Sequence, residues 1–495
     1  MSTSTTLRAL GLALFFALAP LPSPAQAPAG EPLPPLQLQA EQILAKVQGR
    51  WSVLAWSVER DQPLFAINPD SILIPASNNK VFTAVWALEV LGPEYRFPTD
   101  LLITAPIEGD GVLRGDVVLR GSGDPAFGYP EFTRDPMQPL RVMARRLRER
   151  GVRVVEGAVV GDGSAFDSLL VGPGWPRDTE GGASEYAPRV SGLAFQRNVL
   201  WIDLQPTQPG QPALVHRRPA VEEIPVISMV RTGGGSALAV RRPQDDTIRV
   251  RGAVAGRGLH RYRVGVTEPA LLAAGALRQA LIEEGIEVRG GARTGTTPEG
   301  AKHLHRHYSI PLAMMIPKLN QDSDNFFAEH LFKAAVRRAT GLGSYHRGGS
   351  ASAIFLHRTA DVPLGQVYQA DGSGLSSYNR ASSNALVRAL LHAHAAPWSE
   401  SFHQSLAMAG SRYGTLRRQF VGTAAAGNLH AKTGYVRGSR TLSGFVRTRD
   451  GQLVAFSFLY NGGNTNGARA AQMELGTLLA EYPQEALAGR QTTAR

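Results

Sequence analysis

The sequence predicts an α+β protein in which one helix-and-strand domain is split by a β-rich insertion. Three observations predict this class. Helical and strand patterns alternate near both ends of the chain, whereas residues from about 96 to 302 read as short β-like runs between Gly, Pro and Asp turns. That middle stretch also lacks lysine as far as Ala301, a change of texture from either flank. A length of 495 residues leaves room for two to four domains, at roughly 100–200 residues each.

In chain order, residues 1–27 read as an export signal. Arg8 closes a short polar start, Ala9 to Leu21 is apolar, and Ala25-Gln26-Ala27 fits a cleavage site. The apolar run is too short to span a bilayer comfortably. No later stretch reads as a membrane span, so an exported chain in the periplasm or cell-wall space is expected. Residues 28–36 form a Pro/Ala-rich linker, followed by an amphipathic helix over Leu38 to Val47. Trp51 to Val58 and Gln62 to Ile67 alternate as strands, and Val81 to Leu91 has helical apolar spacing stopped by Gly92.

The insertion, 96–302, is expected to hold one or two nested units, 96–121 with 193–302 and 122–192. Its strands fall near 115–120, 152–160, 199–204, 247–254 and 260–266, with one helix over Pro269 to Glu284. The split domain, 37–95 with 303–487, resumes with helices over Pro311 to Leu319, Asn325 to Arg338 and Asn384 to Ala396. A hairpin follows, Ser439–Thr448 with Gln452–Tyr460 turning at Asp450-Gly451, and a last helix runs from Ala468 to about Tyr482.

Composition narrows the chemistry. With no cysteine, disulfides, thiolate zinc sites, Fe–S clusters and cysteine nucleophiles are excluded. The net charge of +11 comes almost wholly from arginine, since only six of 52 basic residues are lysines. The arginines are scattered, with no basic stripe interleaved with aromatics, so no nucleic-acid partner is expected. His303, His305 and His307 alternate as on a solvated strand, and no H-E-x-x-H occurs, so no metal site is expected. No serine has glycine at both −2 and +2, which leaves out the nucleophile elbow.

Three short motifs carry the function. Ser77-Asn-Asn-Lys80 opens the predicted helix, so the ammonium at i+3 can reach the hydroxyl. Serine is a weak nucleophile until a base takes its proton, and lysine can be that base only if burial or a nearby cation lowers its pKa. Ser323-Asp324-Asn325 stands at the mouth of another helix, and Lys432-Thr433-Gly434 precedes the terminal hairpin. Each alone fits an ordinary cap or turn. Together and in this order they are the set of penicillin-recognising acyl-serine enzymes, and two of six lysines occupy its lysine positions. Lys432 is expected to lower the pKa of Lys80 by like-charge proximity.

With these motifs the chain resembles the D-alanyl-D-alanine carboxypeptidase/endopeptidase family of class C penicillin-binding proteins. Supporting runs are Gly115 to Pro125, Gly161 to Asp167, Tyr186-Ala187-Pro188, Asp324 to Glu329, Asp371 to Ser376 and Gly414 to Arg417. The resemblance implies a β-lactamase-like domain, helices on an antiparallel sheet, split by inserted domains. It implies Ser77 as acylated nucleophile, Lys80 as general base, Ser323 as proton relay, and Asn325 as holder of Lys80 and substrate amide. Lys432 and Thr433 would bind the substrate carboxylate, the strand after Gly434 would pair with the substrate, and the N–H groups of Ser77 and Tyr435 would form the oxyanion hole. Peptidoglycan stem peptides would be substrates, β-lactams covalent inhibitors, and no cofactor would be needed. Tyr435 stands where the family commonly has Thr, so the hydroxyl contact to the substrate carboxylate is in question, with Arg437 or Arg440 as replacement. A serine β-lactamase and a wall-binding pseudoenzyme are the alternatives. The former needs a water-activating glutamate, and only Glu329 and Glu400 lie between Asn325 and Lys432.

Overall fold

A computed structural model describes residues 34–175, 186–187, 189–234, 239–241 and 247–483. The expected signal segment, linker residues 28–33, Pro188 and residues 484–487 lie outside the described residues. Helix α1 (Pro34–Ala45) takes in the last residues of the expected linker.

The central feature is an antiparallel sheet of six strands in the order Ala407–Met408, His430–Val436, Ser439–Arg447, Leu453–Asn461, Arg50–Ser57, Gln62–Ile67. The N-terminal hairpin is thus zipped onto the C-terminal one. Side chains alternate between two cores, as a period of two requires. Leu453, Ala455 and Leu459 join Leu54 on one face, in the core built by α2 (Asn79–Leu91), α5 (Leu312–Asn320), α6 (Asn325–Thr340), α8 (Ser383–Ala395) and α9 (Ser399–Ser405). Val454, Phe456, Phe458 and Tyr460 join Val53 and Ala55 on the opposite face, covered by α1 and α10 (Thr465–Glu481). Both faces being covered, the strands read as nearly continuous apolar runs.

The insertion is built on a five-stranded mixed sheet: Ala292–Thr294, Val159–Asp162, Val117–Arg120, Pro98–Ile103, Lys302–Tyr308. Its first three strands are parallel, and its face is packed by α3 (Gln138–Glu149) and α4 (Pro269–Glu283). Three differences from expectation stand out. Helix α3 lies in the stretch expected to be β, although Leu140, Met143, Ala144 and Leu147 bury one face at helical spacing. The strand Lys302–Tyr308 crosses the expected boundary at 302/303 and pairs with Pro98–Ile103, so it belongs to the inserted sheet. On that strand His303 contacts Asp100 at 3.2 Å and His307 packs on Phe127. Helix α7 (Tyr345–Ala360), which the apolar pattern does not predict, contains Gly348 and Gly349, where a Cβ would crowd Phe332 and Tyr368.

The insertion does not hang free. Ala126, Tyr129, Phe166, Trp175, Val190 and Ala194 are buried in the same core as α2 and α6. The fully buried Lys333 of α6 donates to Asp167 Oδ1 and the Leu169 carbonyl, both at 2.7 Å. Asp167 therefore has a structural partner that its sequence position does not disclose.

Candidate active site

A single 3₁₀ turn, Ala76–Asn78, delivers Ser77 to the N-terminal end of α2. Ala76 has φ +47°, a left-handed conformation that a residue with a Cβ adopts at a cost of roughly 1–3 kcal/mol. The loop at Gly374 (φ +83°) lies against the Ala76 carbonyl so closely that any Cβ at 374 would overlap it, which requires glycine there.

Lys80, one turn on, is fully buried. Its Nζ donates to Ser77 Oγ at 3.2 Å, Asn325 Oδ1 at 2.7 Å and the Ser373 carbonyl at 2.7 Å. Three acceptors match the three donors of an ammonium. Burial pulls the Lys80 pKa down to about 8, opposed in part by the charges of Glu329, Asp371 and Asp324.

Beneath the lysine sits a network that the motifs alone do not reveal. Glu329, fully buried on α6, accepts from the Gly372 and Ser373 amides at 3.0 and 2.7 Å, fixing the loop that presents the Ser373 carbonyl. Burial, with the neighbouring Asp371 charge, pushes the Glu329 carboxyl up. Asp371 is itself saturated, by Gly374 N, Ser376 N, Asn379 Nδ2 and Trp175 Nε1 at 2.6–2.8 Å. In sequence Glu329 is only a helical residue, since its partners lie some 43 positions away.

Across the cleft, Lys432 donates to Ser323 Oγ at 2.9 Å and to the Thr433 carbonyl at 2.7 Å. Ser323 has φ +59°, held there by the turn into α6. The Lys432 ammonium is fully buried, and burial, then the Lys80 charge, lowers its pKa well below the usual lysine range. Burial is the largest cause at both lysines, and their mutual repulsion adds to it.

Gly434 is dictated by close approach. A Cβ there would overlap Thr441 Oγ1 and come within 3.0 Å of the Ser77 amide nitrogen. The strand carrying Thr433, Gly434 and Tyr435 is therefore pressed against the turn of Ser77. Its outer neighbour, Ala407–Met408, pairs only with Ala431 and His430, leaving the edge from Lys432 onward facing the cleft among the described residues.

The insertion completes the wall. Asn325 Nδ2 donates to the Tyr186 carbonyl at 2.8 Å. Arg197, at φ +60° in a turn of three consecutive left-handed residues, forms an ion pair with Asp324 and lies over the rings of Tyr129 and Phe326. Asp324 also caps α6 through the Phe327 amide. No sequence motif points to Arg197, whose pairing spans 127 residues. The cleft, about 620 Å³, is lined by Ser77, Ser323, Asn325, Thr433, Gly434 and Tyr435 together with Arg197, Arg440 and Arg469. Arg440 is thus a cleft residue, whereas Arg437 is not among the lining residues.

Residues 37–482 match the D-Ala-D-Ala carboxypeptidase 3 (S13) family, and the chain belongs to it. It is 32% identical over 440 residues to the D-alanyl-D-alanine carboxypeptidase of Actinomadura sp. strain R39, covering 85% of this chain and 79% of that protein. It is 26% identical to the D-alanyl-D-alanine carboxypeptidase DacB of Haemophilus influenzae, over 83% of this chain and 85% of the other. The crystal structure of penicillin binding protein 4 (dacB) from Haemophilus influenzae shares the fold, with TM-score 0.75, 25% identity, and coverage of 90% and 99% of the two chains. The chain is accordingly a peptidase, a hydrolase of the D-Ala-D-Ala carboxypeptidase class with the fold of a penicillin-binding protein.

Proposed function

We propose that Ser77 is the nucleophile of a carboxypeptidase/endopeptidase acting on D-Ala-ended stem peptides and on D-Ala cross-links of peptidoglycan, and that β-lactams acylate the same serine. Ser77 Oγ attacks the carbonyl of the penultimate D-Ala while its proton passes to neutral Lys80. The oxyanion accepts from the main-chain N–H groups of Ser77 and Tyr435. The C–N bond then breaks, and the leaving nitrogen takes the proton held by Lys80 by way of Ser323, which Lys432 holds in place, so that Lys80 is neutral again. Water hydrolyses the Ser77 ester, Lys80 accepting the proton of the attacking water and returning it to Ser77 Oγ as the ester bond breaks. Thr433 and Lys432 face the carboxylate of the leaving group, Asn325 holds Lys80 and the substrate amide, and the open strand edge pairs with the peptide.

The observation that carries this reading is Lys80: buried, 3.2 Å from Ser77 Oγ, and with a pKa pulled to about 8. It can be neutral in an appreciable fraction near neutral pH, which a surface lysine cannot. A β-lactamase reading is disfavoured because Glu329 is buried and engaged by two main-chain amides rather than facing the cleft. The N-terminal signal pattern supports export to the periplasm or cell-wall space, and among the described residues no helix is long and apolar enough to cross a membrane. We assign the insertion, about 96–302 with the strand that follows, the task of walling the cleft. The test is release of D-alanine from a D-Ala-D-Ala pentapeptide and cleavage of a cross-linked dimer. Lys80→Met should lower both by about 10²–10⁴-fold, the scale of general-base catalysis; an unchanged rate would overturn the assignment.

A further inference from the structure

A second concave surface lies at the seam between the insertion and the C-terminal end of α6. It consists of two contiguous cavities, about 490 and 340 Å³, that share Ser122, Arg337 and Gly341. Asn325 opens α6 and Arg337 lies in its last turn, about 18 Å further along the helix at 1.5 Å per residue. Four arginines line the groove. Arg120 and Arg306 stand on the inserted sheet, clamped by the buried Asp100. Arg120 Nη2 donates to its Oδ2 at 2.9 Å, and Arg306 donates to Oδ1 at 2.6 Å and to Oδ2 at 3.1 Å. Arg337 and Arg338 are exposed, and among the described residues neither side chain has an ion pair or a hydrogen bond. Asp162, the other carboxylate on the wall, is already occupied by the Thr297 hydroxyl and by the Ser164 and Thr297 amides at 2.9 and 2.7 Å. A helix C-terminus favours cations, which accounts for Arg337 and Arg338 on α6. It does not account for two further guanidiniums facing the same groove from the sheet, since like charges gathered in a concavity raise its potential.

We propose that this groove is a second binding site, for an anionic saccharide segment of a wall polymer, which tethers the enzyme to its polymer while the cleft works on stem peptides. Only the choice of polymer rests on the proposed function. Guanidiniums pinned by a buried carboxylate are ordered before a ligand arrives, and their forks match a carboxylate or a phosphate. The cavities are too large for a single ion. Hydroxyls of Ser122, Ser164, Thr296 and Thr297 on the walls suit the hydroxyls of a sugar, and Tyr95 with Leu91 gives an apolar patch for the face of its ring.

Binding is measured on the Ser77→Ala protein, so that the result does not depend on the acyl-serine reading. Three probes are compared: glycan strands stripped of stem peptides, which carry free lactyl carboxylates; poly(glycerol phosphate); and a chitin oligosaccharide, a similar sugar backbone without charge. At least one anionic polymer should bind, more weakly as salt rises, and the chitin oligosaccharide should bind at least about tenfold less tightly. The polymer that binds identifies the anion as carboxylate or phosphate. Replacing both Arg337→Gln and Arg338→Gln should weaken binding about ten- to a hundred-fold, the scale of a charge-assisted hydrogen bond. Arg337→Lys with Arg338→Lys should recover part of it. With Ser77 intact, the glutamine pair should release D-alanine from a short soluble peptide at the parent rate, which also shows that it folds. The site is overturned if neither anionic polymer binds, if the chitin oligosaccharide binds as tightly, or if the glutamine pair leaves binding unchanged. A matching loss on the soluble peptide would overturn it too, because the arginines would then serve the fold.

Discussion

At the scale of residues, two positions decide the chemistry. In the proposed mechanism Lys80 must be neutral to accept the Ser77 proton, and its ammonium form dominates below a pKa of about 8. The acylation rate constant should therefore rise as pH climbs through about 8 and level above it. Stopped-flow acylation across the neutral-to-alkaline range checks this, and a flat profile would remove Lys80 as the base. Gly434 has no room for a methyl group between Thr441 Oγ1 and the Ser77 amide. Gly434→Ala should push the strand off the turn and lower acylation by at least about tenfold, since small misplacements at a reacting centre cost up to about 10²-fold. A near-normal rate would show that the close approach is unimportant.

Several of these residues are legible in the sequence. Helical spacing pairs Ser77 with Lys80, and the order of the three motifs groups Ser323, Asn325 and Lys432 with them. The roles of Glu329 and Arg197 are not legible, because their partners lie far along the chain, although Glu329 closes one of the runs that carry the resemblance. The weight of burial is hidden for a related reason: sequence suggests that Lys80 and Lys432 are close, but only the fold shows that burial is the largest cause of both shifts.

At the scale of elements, the long apolar strands and helices are readable from pattern, and the terminal hairpin matches its expected span within a residue or so at each end. The failures have physical causes. Helix α7 carries two adjacent glycines, a poor local signal that tight packing against Phe332 and Tyr368 overrides. Helix α3 has the right apolar spacing but is embedded among strand-like runs. Helix α6 is the element on which most depends, since it carries Asn325, Glu329 and Lys333 on its buried turns. Replacing Asp167 with Asn would leave the Lys333 ammonium buried without its counter-charge, at a cost of about 3–5 kcal/mol. The denaturant midpoint should fall accordingly, while Lys333→Met in the same background should restore much of it. An Asp167→Asn variant as stable as the parent would refute the pairing.

On the scale of the whole molecule, the insertion and the peptidase halves share one core and one wall. Phe166, Trp175 and Tyr129 are buried against the helical core, and Arg197 reaches the helix cap beside Ser323. Excising 122–192 should therefore not yield a smaller working enzyme. It should expose this apolar surface and give a chain that binds a hydrophobic dye and lacks a cooperative melting transition. A well-folded, active deletion variant would show that the two parts are independent.

The most direct test of the central claim is covalent labelling. Purified protein and its Ser77→Ala variant would be treated with a fluorescent penicillin, and the labelled peptide identified by mass spectrometry. The account predicts a long-lived adduct on Ser77 that is absent from the variant. An adduct elsewhere, or no adduct with the penicillin left intact, would contradict it.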